Sequence, residues 1–249
     1  MSKLNEVIAY LEDKFNNHCA YLWGSSGQIV GQTTPEQIKE AEKTSSSIKA
    51  TALNNAKRVL VHVADMLNKG FDLNKAQFFD CSGLVIDTLN HFGLYIGDNT
   101  ANGLFDLGTN INIKNAKAGD LVFKGDDKYK NHVGFVITDK TVIECKGRDY
   151  GVVISKIEEW QYACHYTWFD DLKLNRKLKV QKPALEGSDV LNLQKALNSH
   201  GIPCAITGTF TENTRQAVVR FQKASGLSVL TQGTVAKKTA EALGFKWKG

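Results

Sequence analysis

The sequence predicts an α+β domain followed by a small all-α domain, and three observations carry that expectation. Helical periodicities come first, short β-branched segments bounded by Gly or Asp follow, and beyond residue 183 the apolar spacing becomes purely helical. The change of character falls in the cation-rich stretch 172–183, which ends Val180-Gln181-Lys182-Pro183. The expected organisation is one domain over 1–172 with a helical insertion at about 30–75, a linker over 173–183 and a second domain over 184–249.

In the first domain a helix is expected over 2–16. The insertion opens at Thr34-Pro35-Glu36-Gln37, with Thr34 as N-cap, Pro35 at the first helical position and Gln37 closing a capping box. Further on, Leu53, Ala56, Leu60, Val63 and Leu67 share one face, His62 is a structural residue, and Gly70 is the stop. The next helix follows Asp80, directs Leu84, Val85, Thr88, Leu89 and Phe92 one way, and stops at Gly93. Segments 121–124, 132–138, 141–145 and 152–155 read as an antiparallel meander.

In the second domain Ser188 or Asp189 caps a first helix carrying Leu193 and Leu197. A second starts at Thr211 and buries Ala217, Val218 and Phe221, and a third runs over about 235–243. Three short helices share only a small core, which suits an accessory module.

Composition narrows the function. With 249 residues, 42% hydrophobic and 23% charged, the chain can bury a core without covalent staples. Cysteines at 19, 81, 145, 164 and 204 show no CxxC spacing, which argues against a disulfide framework and a zinc ribbon. No His-and-acid ligand set is visible, so neither metal nor cofactor is expected. The run 5–13 is amphipathic with acids inside it, unlike a signal peptide, and no run approaches a membrane span. Synthesis in the cytoplasm without membrane insertion is therefore expected.

The net charge of +5 is unevenly divided. Residues 1–172 carry 18 Lys+Arg against 22 Asp+Glu, and 173–249 carry 13 against 4. A basic C-terminal module favours an anionic partner, and the lack of an aromatic-interleaved basic stripe argues against nucleic acid.

Chemistry concentrates at Asp80-Cys81-Ser82-Gly83. A free thiol with a pKa of about 8.5 is only ~3% thiolate at neutral pH, and the thiolate is the nucleophile. A first-turn position surrounds Cys81 with unpaired backbone N–H groups at the positive end of the helix dipole, and a nearby imidazolium adds to the effect. His132 opens an apolar strand and is the expected base. Glu144 interrupts the apolar run on the next strand, where its carboxylate can hold the second ring nitrogen of His132. That assignment depends on register. A two-residue loop at Asp139-Lys140 turns Glu144 away from His132, whereas a three-residue loop, a five-residue loop or a bulge restores the shared face. Cys145, Cys164 and His165 are expected as core residues, with His165 a rival for the third position.

Tyr21-Leu22-Trp23-Gly24, Asp80-Cys81-Ser82-Gly83-Leu84-Val85, Gly119-Asp120-Leu121-Val122-Phe123 and His132-Val133-Gly134, in that order, resemble the NlpC-type cysteine peptidases of bacterial and phage cell-wall hydrolases. The resemblance implies a papain-like core and hydrolysis of peptidoglycan stem peptides, commonly at the γ-D-glutamyl bond to the diamino acid. It maps nucleophile, base and orienting residue onto Cys81, His132 and Glu144, and substrate contacts onto Tyr21, Asp80 and Ser82. The third position in that family is more often His, Asn or Gln, and the gap between Tyr21 and Cys81 is longer than usual. Gly187, Val190, Leu193-Gln194, Gly208, Phe210, Thr214, Phe221-Gln222 and Gly233 resemble the three-helix peptidoglycan-binding domain. The expected function is thus a peptidoglycan endopeptidase that binds the wall and its anionic polymers, acting as a phage endolysin released to the wall by lysis or a holin. The alternatives are an N-acetylmuramoyl-L-alanine amidase on the same fold and a non-catalytic wall-binding protein.

Overall fold

The computed structural model describes residues 3–169 and 173–249. It divides into two compact units, Met1–Asp170 and Asp171–Gly249. Among the described residues no helix is long and apolar enough to cross a membrane.

The first unit begins with α1 (Lys3–Asn16), β1 (Ala20–Tyr21), β2 (Ser26–Ile29), α2 (Pro35–Glu42), α3 (Lys49–Asn68) and β3 (Gln77–Phe79). It continues with α4 (Cys81–His91), α5 (Ala101–Leu107), β4 (Thr109–Ile111), β5 (Leu121–Gly125) and β6 (Lys130–Val136). It ends with β7 (Thr141–Gly147), β8 (Gly151–Lys156) and β9 (Tyr162–His165).

An antiparallel sheet in the order β4-β9-β5-β6-β7-β8 contains the predicted meander. It adds two strands, β4 and β9, that sequence patterning did not single out. A second sheet, β1-β3-β2, pairs β1 with β3 in parallel and β2 with β3 antiparallel. This α+β architecture is the expected one.

Strand alternation sorts the core into two faces. Val133, Phe135, Ile143 and Cys145 join Leu84, Val85 and Leu89 of α4 and Val7 and Leu11 of α1. Val136 and Val142 join Trp160 and Ala163 in a separate cluster.

The insertion starts as predicted, with the Thr34 side chain accepting from the Gln37 N–H and the Gln37 side chain accepting from the Thr34 N–H. Its second helix keeps Ala56, Leu60 and Val63 of the expected stripe on the core side but is rotated by about one residue at its ends. Ala52, Asn55, Ala56, Val59 and Met66 are buried, while Leu53 and Leu67 stand exposed. The sequence holds two overlapping stripes one residue apart. Packing of Val59, Leu60, Val63 and Met66 against Ala20, Leu22, Ile38 and Phe78 decides between them.

A buried ion pair ties the insertion to the meander. Glu42, fully buried at the end of α2, receives the Arg148 guanidinium from the β7–β8 turn at 3.0 Å through Nε and 2.7 Å through Nη2. It also accepts the Trp23 N–H at 3.2 Å. Arg58 of α3 pairs with Asp149, the neighbouring turn residue. The Arg148 guanidinium lies 5.0 Å from the centre of the Tyr21 ring.

The second unit comprises β10 (Lys173–Leu174), α6 (Ser188–Ser199), α7 (Glu212–Ala224), α8 (Lys237–Ala242) and β11 (Lys246–Trp247). It has the three predicted helices but is not wholly helical, because β10 and β11 pair in parallel. Residues 173–183, expected as a linker, belong to this fold. Leu174 and Leu178 are fully buried in its core, and Leu178 bridges Val235. The cations around these apolar positions disguised a core-forming segment.

The cap of α6 is Gly187, at φ 142°, in place of Ser188 or Asp189. Asp189 pairs with Arg176 at 2.7 Å. Thr211 caps α7 as expected.

Two buried glutamines perform one task twice. Gln194 accepts from the Thr207 and Gly208 N–H groups and donates to Thr214. Gln222 accepts from the Gly233 N–H and donates to Thr239. Each amide fastens one helix to the loop and helix that follow.

The Glu42–Arg148 pair leads to a direct expectation. Glu42→Ala leaves a largely buried guanidinium without its partner and should cost about 3–5 kcal/mol in urea unfolding. A Glu42→Leu/Arg148→Met double variant should recover most of that loss.

Candidate active site

Strand β3 runs directly into the helix that carries the candidate nucleophile. Asp80 is the N-cap of α4, its Oδ1 accepting the Gly83 N–H at 2.6 Å and the Ser82 hydroxyl at 3.1 Å. Oδ2 accepts the Gly24 N–H at 3.0 Å, and the Asp80 N–H donates to the Ser25 carbonyl at 2.9 Å. Burial raises the Asp80 carboxyl, and these hydrogen bonds oppose the rise. A Cβ at Gly83 would stand 2.0 Å from the Ser25 oxygen, so only glycine lets the loop come this close. Asp80 and Ser82 therefore build the turn that presents Cys81.

Cys81 is the first residue of α4 and is half-buried. Burial pushes its thiol up to about 12 and the Asp80 charge adds to this, against the backbone N–H groups of Val133, Ser82 and Cys81. The lowered thiol expected from helix position does not occur, because desolvation outweighs the N–H groups. Helix α4 packs against β6, the strand that carries Val133 and His132.

His132 Nε2 lies 2.6 Å from Glu144 Oε2. Register explains the meeting. Phe135 faces Ile143 and Val136 faces Val142, so even positions pair with even ones and both side chains share a sheet face. The Ile137 N–H bonds to the Thr141 carbonyl at 3.0 Å and closes the turn over 138–140, the three-residue solution. With Nε2 engaged, Nδ1 is the nitrogen left for proton transfer.

Glu144 is fully buried. Burial alone would raise its carboxyl. The hydrogen bond from His132, the nearby Ser155 hydroxyl, and the charges of His132 and Lys124 bring it below its ordinary value. Among the described residues, Glu144 Oε1 has no partner within hydrogen-bonding distance.

Two supporting residues escaped the sequence reading. Trp160 stacks on the His132 ring at 5.4 Å between centroids and 11° between planes. Its Nε1–H donates to Ser155 Oγ at 3.2 Å, and Ser155, paired opposite Val142, faces the same side as Glu144. One indole thus contacts the imidazole directly and holds the Ser155 hydroxyl on the same sheet face as the carboxylate. The available signal was a lone aromatic in the polar run Glu158-Glu159-Trp160-Gln161.

Tyr21 is buried, and its hydroxyl is raised by that burial and by the nearby Cys81, with Arg148 opposing. His165 does not join this group, its Nδ1 lying 2.6 Å from buried Asp120. Cys145 and Cys164 are fully buried, and the Cys145 thiol donates to the Phe79 carbonyl at 3.2 Å. Both side chains are enclosed in the hydrophobic core, whereas Cys81 is only half-buried, so neither of them is open to a substrate.

A helix-start cysteine, a strand histidine and a buried carboxylate are the layout of a cysteine hydrolase. Residues 70–169 match the NlpC/P60 family, and residues 186–243 match the putative peptidoglycan binding domain. The two matches support an NlpC/P60 domain joined to a peptidoglycan-binding domain.

Similar solved structures include the NlpC/p60 domain of the peptidoglycan hydrolase SagA. It is 24% identical over 44% of this chain and 97% of that one, with a TM-score of 0.33. An NlpC/P60 family protein from Bacillus cereus is 26% identical over 36% of this chain, with a TM-score of 0.33. The alignment spans only 32% of that protein. The peptidoglycan hydrolase RipB of Mycobacterium tuberculosis is 17% identical over 65% of each chain, with a TM-score of 0.38. No curated protein matches this chain.

The raised thiol has a measurable consequence. Iodoacetamide labelling of Cys81, located by peptide mass spectrometry, should accelerate about tenfold per pH unit between roughly pH 7 and 10. A rate already at its plateau at pH 7 would reveal a resting thiolate.

Proposed function

We propose that this protein hydrolyses stem peptides of bacterial peptidoglycan through Cys81, His132 and Glu144. The observation that carries this reading is the 2.6 Å His132–Glu144 contact, on a strand packed against the helix that begins at Cys81. Cys81 passes its proton to His132 Nδ1 as the sulfur attacks a peptide carbonyl. Backbone N–H groups at the start of α4 receive the oxyanion. His132 returns the proton to the leaving amine, and water, deprotonated by the same imidazole, then hydrolyses the thioester to a carboxylate. Glu144 holds the imidazole in the Nε2–H tautomer and stabilises its charged form.

The bond favoured is γ-D-glutamyl to the diamino acid, as the sequence resemblance implies. The match over 186–243 supports peptidoglycan binding, and the excess of cations over 173–249 suits anionic wall polymers. Tethering raises the local concentration of substrate without new contacts at the reacting bond. Hydrolysis joined to wall binding suits a lytic role such as that of a phage endolysin.

Digestion of purified walls, read by mass spectrometry, should release fragments with a free γ-D-glutamyl carboxylate. Cleavage at the lactoyl linkage would instead identify an amidase. Cys81→Ala should abolish release, and Glu144→Gln should reduce the rate by at least about 10²-fold, since the neutral amide can favour the wrong tautomer. Wall clearing that survives Cys81→Ala would remove the nucleophile from its role. Wall binding without any cleavage would favour the non-catalytic reading, which the protonated thiol also accommodates.

A further inference from the structure

A cleft of about 440 Å³ opens between the loop after β1, strand β2 and helix α2. Trp23, Ser25, Gln28, Gln32, Thr33 and Gln37 supply its aromatic and polar lining, and no lining residue is charged. It lies outside the segment that matches the NlpC/P60 family, which begins at residue 70. Its far wall belongs to the helical insertion.

The cleft is rigidly attached to the candidate active site. Its floor residues Gly24 and Ser25 hydrogen-bond to Asp80, the residue before Cys81, at 3.0 Å and 2.9 Å. Its roof is fixed by Glu42, which holds the Trp23 N–H at 3.2 Å while gripped by Arg148. Trp23 is 41% exposed on this locked backbone. The platform therefore exists before any ligand arrives, which lowers the entropy cost of binding.

The polar groups are also prepared. Gln28 Oε1 accepts the Ser26 N–H at 3.1 Å, and Gln37 Oε1 accepts the Thr34 N–H at 2.8 Å. These bonds hold both side chains by their oxygens, and among the described residues the two amide NH2 groups have no partner. The side-chain amide of Gln32 makes no hydrogen bond among the described residues. The Thr33 hydroxyl donates to the Ile29 carbonyl at 2.7 Å and keeps acceptor capacity.

An uncharged set of amides and hydroxyls around an exposed indole selects by chemistry. A stem-peptide carboxylate or ammonium would be desolvated here without an opposite charge, which is costly. A pyranose ring presents an apolar C–H face to an indole, and its hydroxyl and acetamido groups pair with amides. From this cleft we infer that the insertion builds a subsite for neutral N-acetylated saccharide, the glycan of the wall, next to the peptide-cleaving centre. The inference rests on the wall-hydrolase reading for the identity of the glycan. The linkage follows from substrate chemistry, because each stem peptide is covalently attached to the sugar strand. A sugar seated beside Asp80 would deliver its peptide toward Cys81.

The test is hydrogen–deuterium exchange of the full chain with an N-acetylglucosamine tetrasaccharide in one arm and a free stem tetrapeptide in the other. The saccharide should slow exchange in 22–41, and the peptide should not. Trp23→Ala should weaken saccharide binding by at least about tenfold and Gln32→Ala by about fivefold. Gln32 is exposed, so its loss should leave the fold intact even if Trp23→Ala does not. Saccharide protection confined to 186–243, protection of the cleft by peptide alone, or no saccharide binding would each overturn the inference. Wall digestion is read separately, so failure to cleave with saccharide protection retained would sink the hydrolase reading and leave the subsite standing.

Discussion

The even-to-even register of β6 and β7 is the constraint on which the rest of the first unit depends. It places Val133, Phe135, Ile143 and Cys145 against the helices, and on the opposite face it brings His132 and Glu144 together. A slip by one residue would expose the first group and separate the second. Folding free energy and the geometry of the dyad are thus set by a single choice of hydrogen-bond partners. Correct burial of four apolar residues guarantees the orientation of two polar ones.

A second layer of control operates through main-chain contacts at the start of α4. The Asp80 carboxylate satisfies the helix terminus and simultaneously binds the loop after β1, while the missing side chain at Gly83 lets the Ser25 carbonyl enter. The same turn carries a thiol whose burial outweighs the field of three N–H groups. In the proposed mechanism Cys81 attacks as it passes its proton to His132, with no resting anion required. Trp160 stacks on the His132 ring and restricts its rotation.

Local features were legible in the sequence, and long-range ones were not. Cys81 at a helix start, the Thr34 capping box and the four-strand meander are written in periodicities and caps, which act over a few residues, while the strand expected to open at His132 begins at Lys130. The β1–β3 pairing joins residues such as Ala20 and Phe78, whose strands are too short for any alternation to register. The buried stripe of α3 was ambiguous because two apolar stripes coexist, and only the facing surface selects one. Trp160 and Ser155 come from outside every motif, and the protonation of Cys81 is a property of burial, which no local pattern encodes. The segment 173–183 misled through composition, with Leu174 and Leu178 hidden among cations.

The short parallel pairing of Lys173–Leu174 with Lys246–Trp247 brings the first and last strands of the second unit side by side. A fold whose entrance and exit lie on neighbouring two-residue strands is portable. It can be spliced into or appended to another polypeptide without stretching its own backbone, and its ends can be rejoined with new termini opened elsewhere. The paired glutamine fasteners tie successive helices and loops together inside the same unit.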